Sequence, residues 1–143
     1  NATKMGPRCT GCGGFIDITQ NAKKVVFCGT FTASGCEFSF ENKKLTILKE
    51  GKIKKMVSQV AQYSFNGKIA REKGQEVYIV TERAVFKLVP EGVMLTEIAP
   101  GIDLQNQILD KMDFTPIISP DIKVMDEALF NVGIVGMRET MMG

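Results

Sequence analysis

Histidine is absent from all 143 residues, which removes imidazole as a zinc ligand and leaves cysteine as the chain's one soft donor for such a site. An excess of charge of one sign is also absent. The 18 Lys and Arg against 16 Asp and Glu leave a formal net charge of +2, too small to argue for nucleic acid or an anionic membrane as partner. No apolar run approaches the ~20 residues that a membrane-spanning helix needs. The opening residues Asn1-Ala2-Thr3-Lys4-Met5-Gly6-Pro7 lack the apolar core of a signal peptide. There is no internal repeat, low-complexity segment or linker, so residues 1–143 are expected to form one domain. The first residue is not Met, and the chain starts in what reads as the approach to a loop, so a piece of a longer polypeptide is expected.

What is present is ordinary for a soluble globular protein: 44% hydrophobic and 24% charged residues. The short basic runs Lys43-Lys44 and Lys52-Ile53-Lys54-Lys55 read as solvated faces or hairpin ends rather than a phosphate track. Four cysteines occur. Cys9-Thr10-Gly11-Cys12 is a C-x-x-C pair, while Cys28 and Cys36 stand apart. Three readings are open: a four-cysteine zinc site, a redox pair, and unligated reduced thiols. Cys28 sits in an apolar strand pattern, the second pair lacks knuckle spacing, and no strand pattern precedes the C-x-x-C. Reduced thiols are therefore expected, which points to the cytosol.

The chain's organising stretch is Gly11-Cys12-Gly13-Gly14-Phe15-Ile16-Asp17-Ile18. Three glycines in four residues allow backbone to approach a ligand closely, and a helix start behind them can aim N–H groups at a negative oxygen. A short helix is expected from Phe15 to Ala22, with Phe15, Ile18 and Ala22 on its apolar face and Asp17 complementing its dipole. Val25 to Phe31 reads as a strand buried on both faces. Glu37–Phe40 and Leu45–Ile47 alternate with period two around Asn42, a hairpin pattern. A strand is expected over Val60–Phe65, ended by the turn dipeptide Asn66-Gly67.

Glu76–Thr81, Ala84–Val89 and Val93–Ile98 read as three strands of an antiparallel meander. Glu82 and Arg83 between the first two read as a hairpin turn or surface pair. Asp103 is placed to cap a helix over Leu104 to Met112. Pro116 and Pro120 bracket an extended Ile117-Ile118, and a last helix is expected over Lys123–Phe130. The Met137, Met141 and Met142 tail reads as packing rather than ligand. The predicted class is α/β: part of an open mixed sheet with flanking helices and a C-terminal antiparallel meander.

Together these motifs carry a resemblance. Gly11-Cys12-Gly13-Gly14-Phe15-Ile16-Asp17 followed by Ala22-Lys23-Lys24-Val25-Val26, then Thr81-Glu82-Arg83-Ala84-Val85-Phe86, then Glu97-Ile98-Ala99-Pro100-Gly101-Ile102-Asp103, resemble the β-type half of family I coenzyme A transferases. The likeness is to the short-chain acyl-CoA:acetate, propionate and 3-ketoacid group, over nearly all of residues 6–130. It implies a CoA-transferase with ping-pong kinetics through a glutamyl-CoA thioester, the thioester being substrate, with no metal and no other cofactor. The family's nucleophilic Glu lies upstream of its glycine loop. Glu41-Asn42-Lys43 and Pro90-Glu91-Gly92 match its motif only superficially, so this piece alone is expected to be inactive.

The resemblance makes the backbone N–H groups of Gly13 and Gly14 candidates for oxyanion-type support. Gly11, Cys12 and Phe15 become candidates for substrate or CoA binding. It further implies the rest of the same polypeptide as partner, a homo-oligomer, and no nucleic acid or membrane. A stand-alone C-x-x-C redox or zinc module is the competing reading.

Overall fold

The structure, a computed structural model, describes residues 11–60 and 63–131. It is organised on a five-stranded mixed sheet whose strands, in spatial order, are Lys24–Cys28 (β1), Glu76–Val80 (β6), Ala84–Val89 (β7), Gly92–Ile98 (β8) and Ile117–Val124 (β9). Helix α1 (Phe15–Asn21) turns directly into β1 (Lys24–Cys28), which pairs in parallel with β6 (Glu76–Val80). Between them the chain makes a long excursion. In it β2 (Thr32–Ala33) pairs with β5 (Ile53–Lys54), and β3 (Glu37–Glu41) pairs with β4 (Lys44–Lys49), both antiparallel. The β3–β4 turn places Asn42 and Lys43 at φ 51° and 61°, the left-handed pair that a two-residue hairpin requires.

The expected meander is present. Strands β6, β7 (Ala84–Val89) and β8 (Gly92–Ile98) pair antiparallel in succession. Alternation there is a local signal, and the short links leave no other partner. Asp103 caps helix α3 (Leu104–Gln107), its carboxylate accepting from Asn106 N–H at 2.7 Å. The expected helix to Met112 breaks at Ile108 into a 3₁₀ turn over Leu109–Lys111, yet Ile108 and Met112 remain buried as the apolar spacing required.

Four expectations are corrected. Strand β1 ends at Cys28 rather than Phe31 and is not buried on both faces: Val25 is buried, while Val26 is 50% exposed. The cause is its place at one edge of the sheet. The strand expected over Val60–Phe65 does not form at residues 63–65, and residues 61 and 62 lie outside those described. Asn66 does not turn a hairpin. Its side chain accepts from Lys68 and Ile69 N–H and starts α2 (Gly67–Glu72), the other use to which an asparagine oxygen is suited.

The last helix is reduced to a 3₁₀ turn, Glu127–Phe130, because Ile117–Val124 forms β9, parallel to β8. Pro120 is tolerated there because β9 is the opposite edge strand and its register breaks between Leu95 and Glu97. The Met137–Met142 tail lies outside the described residues.

The core lies on one face of the sheet, where Phe31, Leu45, Phe86, Leu95 and Ile108 are almost fully buried and Phe31 stacks on Phe86 with ring centres 6.2 Å apart. Leu95→Ala is expected to lower unfolding stability by about 2–5 kcal/mol. Leu48→Ala, at a side chain 64% exposed, should cost well under ~1 kcal/mol. Denaturant titration of the two variants checks the contrast.

Candidate active-site edge

The short link between α1 and β1 returns the helix start to the end of the strand. Phe15 stacks on Phe27 at 5.8 Å, and Phe27 meets Phe65 edge-on at 5.2 Å. The glycine turn therefore sits at the carboxyl end of the parallel pair β1/β6, the edge where open α/β sheets bind ligands. Gly11, Cys12, Gly13 and Gly14 are all exposed there, and Phe15 is half-buried. Phe15 N–H closes the turn on Cys12 C=O at 3.2 Å. Among the described residues nothing accepts from the N–H groups of Gly13 or Gly14.

The three glycines differ in why they are glycine. Gly13 has φ +54°, a left-handed conformation that side chains rarely adopt. Gly14 has φ −77° and ψ 5°, open to any residue. A Cβ on it would meet only Ile18 Cδ1 at 3.6 Å, and one on Gly11 would meet nothing within 4 Å. Among the described residues, packing gives Gly11 and Gly14 no reason to be glycine.

The apolar face expected on α1 is corrected. Ile18 is 69% exposed, and Thr19 is the buried residue. Thr19 can be buried because its hydroxyl donates to Phe15 C=O at 2.7 Å, while Gln75 donates to Thr19 C=O at 2.6 Å. Asp17 lies in the first turn, as expected. Cys12, Cys28 and Cys36 are free thiols, and no metal-ligating group of three or more forms among the described residues. Cys9, and with it the C-x-x-C reading, lies outside them.

A second cluster stands at the same sheet edge. Glu82 and Arg83 do form the β6–β7 turn, but the surface pair is corrected: Arg83 is 0% exposed. Its Nε donates to Glu82 Oε1 at 2.7 Å. Nη1 donates to Glu50 Oε2 at 2.7 Å and Gln107 C=O at 3.1 Å, and Nη2 donates to Glu50 Oε1 at 3.0 Å and Cys36 Sγ at 3.6 Å. The guanidinium also lies 5.0 Å from the Phe31 ring centre. All five donors are thereby used, as burial of a cation demands.

The carboxylates pass the constraint on. Glu82 Oε2 accepts Phe31 N–H at 2.7 Å, and Glu50 accepts the Thr32 hydroxyl at 2.5 Å. Gly51 N–H donates to Thr32 Oγ1 at 3.1 Å. The backbones run so close here that a Cβ on Gly51 would lie 2.5 Å from Ala33 C=O. One signal in the sequence pointed to this burial. Val80-Thr81-Glu82-Arg83-Ala84 carries none of the Gly, Asn, Asp or Pro that solvent-facing hairpins favour.

No family model matches the chain. It is 52% identical over 127 residues to acetate CoA-transferase YdiF of Escherichia coli K12, a match covering 89% of this chain and 24% of that protein. It is 54% identical over 139 residues to caffeate CoA-transferase of Acetobacterium woodii, covering 97% and 26%. A crystal structure of the acyl-CoA transferase YdiF of E. coli O157:H7, as a thioester complex with CoA, matches with a TM-score of 0.90 at 49% identity, over 95% of this chain and 27% of that one. The chain belongs to family I of the coenzyme A transferases.

It spans about a quarter of the length of the CoA-transferases it matches. The α/β mixed sheet expected from the sequence is the fold of that matched quarter. No helix among the described residues is long and apolar enough to cross a membrane.

The electrostatics of this edge centre on Glu50. Burial by itself would raise the Glu50 pKa. The Arg83 guanidinium, the Thr32 hydroxyl and Gly51 N–H outweigh it and hold the carboxyl below the usual range. Arg83 is likewise pushed down by burial and, on balance, up by Glu50 and Glu82. A carboxyl depressed by folding stabilises fully above its unfolded pKa, about 4.3 for Glu, and loses that contribution as pH falls through the lower folded value. Thermal unfolding should therefore show a steep loss of stability below about pH 4.3, and Glu50→Gln should flatten that acid limb while lowering stability at neutral pH.

Proposed function

We propose that the complete polypeptide moves coenzyme A between a short-chain acyl-CoA and a free carboxylate of the acetate and propionate class. In this reading residues 1–143 are the C-terminal portion of its β-type domain. They supply one wall of the active site, and the nucleophilic Glu comes from the upstream part of the polypeptide. That Glu attacks the acyl-CoA thioester, giving a mixed anhydride and CoA thiolate. The thiolate attacks the glutamyl carbonyl of the anhydride, forming glutamyl-CoA and releasing the first carboxylate. The acceptor carboxylate then runs the same two steps in reverse.

Each attack places negative charge on a carbonyl oxygen. The N–H groups of Gly13 and Gly14 are assigned to meet that charge, with Gly11, Cys12 and Phe15 beside the CoA thioester. One observation carries the assignment. Gly14 has a backbone any residue could adopt and room for a side chain, yet it is glycine on an exposed turn whose amides no described group accepts from. A ligand arriving at that turn explains both facts. The relatives, an acetate and a caffeate CoA-transferase, support the reaction class. A cytosolic homo-oligomer is part of the same proposal.

Removing one preorganised oxyanion donor typically costs about 100- to 1,000-fold in turnover. Gly14→Val in the complete enzyme is expected to lower kcat on that order while leaving the unfolding midpoint within a degree or two. Hydroxylamine should inactivate the wild type only after acyl-CoA has been added. Near-normal turnover in the variant would remove the glycine turn from the mechanism.

A further inference from the structure

Where the chain leaves β1 it is held by a side chain rather than by a strand ladder. The last main-chain bond between β1 and β6 is Gly29 N–H to Val80 C=O at 3.1 Å. Two residues later Phe31 N–H is accepted by the Glu82 carboxylate, from 51 positions further on. The segment between these two ties, Gly29 and Thr30, is exposed, as is Cys28 before it. It adjoins the glycine turn through the Phe27–Phe15 stack. The Lys55 ammonium donates to Thr30 C=O at 2.5 Å and the Thr30 hydroxyl to Thr32 C=O at 2.6 Å, so the Glu82 carboxylate, among the described residues the one buried tie on the main-chain N–H beyond the ladder, shares the routing of this exposed strip with an exposed lysine.

We propose that Glu82 is a positioning residue for acyl transfer: by holding Phe31 N–H it places the Gly29–Thr30 strip as a second wall of the site beside Gly13 and Gly14. This rests on the reading of the glycine turn given above. A ladder one residue longer would tie the strands without burying charge. Buried ion clusters are poor sources of net stability, since apolar residues of like volume often serve as well or better. Glu82 with 8% side-chain exposure and Arg83 with 0% thus give the molecule geometry more than stability.

The arrangement is also directional. One Glu82 oxygen takes Arg83 Nε–H and the other takes Phe31 N–H, both at 2.7 Å. Arg83 fixes the carboxylate plane, and Glu50, held by Thr32 as well, fixes Arg83. The turn carrying Glu82 is itself closed by the Thr81 hydroxyl, which donates to Ala84 C=O at 2.8 Å and accepts Ala84 N–H at 3.0 Å. An amide in place of the carboxylate would set an NH₂ against one of the two donors, so Glu82→Gln breaks one tie while keeping the volume.

The test uses the complete enzyme, assayed well below every unfolding midpoint. Glu82→Gln is expected to lower kcat by about 10- to 100-fold, the scale of a misplaced site element, with KM for acyl-CoA changed less than about twofold. Val77→Ala, buried at the far end of β6, serves as the stability control and should keep wild-type kcat. If Glu82→Gln does not fold, Glu50→Gln, one step further from the strip, is expected to show the same kcat loss at smaller size with KM unchanged. Wild-type kcat in the folded Glu82 or Glu50 variant, or an equal kcat loss in Val77→Ala, overturns the inference. If Gly14→Val is impaired while Glu82→Gln is not, only the positioning role falls. If both turn over normally, the glycine-turn reading falls with it.

Discussion

A guanidinium with no access to water must place every donor on the protein, and Arg83 does so. Its five N–H bonds reach Glu82, Glu50, the main chain at Gln107 and the Cys36 sulfur. Those partners belong to the β6–β7 turn, the stretch after β4, the end of α3 and the loop before β3. β2–β5 and β3–β4 pair only within the excursion between β1 and α2, so main-chain ties from it to the rest are isolated bonds such as Leu45 N–H to Pro100 C=O and Asp113 N–H to Met56 C=O, each at 2.9 Å. The charge cluster, with Phe31 and Leu45 packed into the core, is what fixes that excursion and hence the carboxyl edge of the parallel strands. With one cation to two carboxylates the cluster is not neutral, and Glu50 relieves the excess by keeping 26% of its side chain exposed.

The site edge then follows from connectivity. A two-residue link between α1 and β1 leaves the helix start beside the strand end, and the Phe15–Phe27 stack marks the closure. On one side of that point is a glycine turn whose Gly13 and Gly14 amides no described residue accepts from, and on the other a strand exit held by Glu82 and Lys55. The chain spans about a quarter of the length of its CoA-transferase relatives.

Local physics was legible in the sequence. The meander, the Asn42 hairpin and the Asp103 cap each rest on residues within a few positions of one another, and each formed where alternation and turn chemistry placed it. The glycine turn was legible as a place, while its chemistry came from resemblance. What could not be read depended on distant partners. Asn66-Gly67 is a turn dipeptide whose oxygen found helix amides instead. Ile18 lies outside because Thr19 could satisfy its hydroxyl on the helix and Gln75 could reach it from 56 positions away. Arg83 read as surface because its second carboxylate, Glu50, is 33 positions upstream.

Amide hydrogen exchange at Phe31 in the complete polypeptide is the most direct measurement of the central claim. The account predicts that this amide, though beyond the last ladder bond of β1, is protected as strongly as the amides of β6, and that Glu82→Gln abolishes the protection while β6 keeps its own. A wild-type Phe31 amide exchanging as fast as those of the exposed Asn42–Lys43 turn would contradict it.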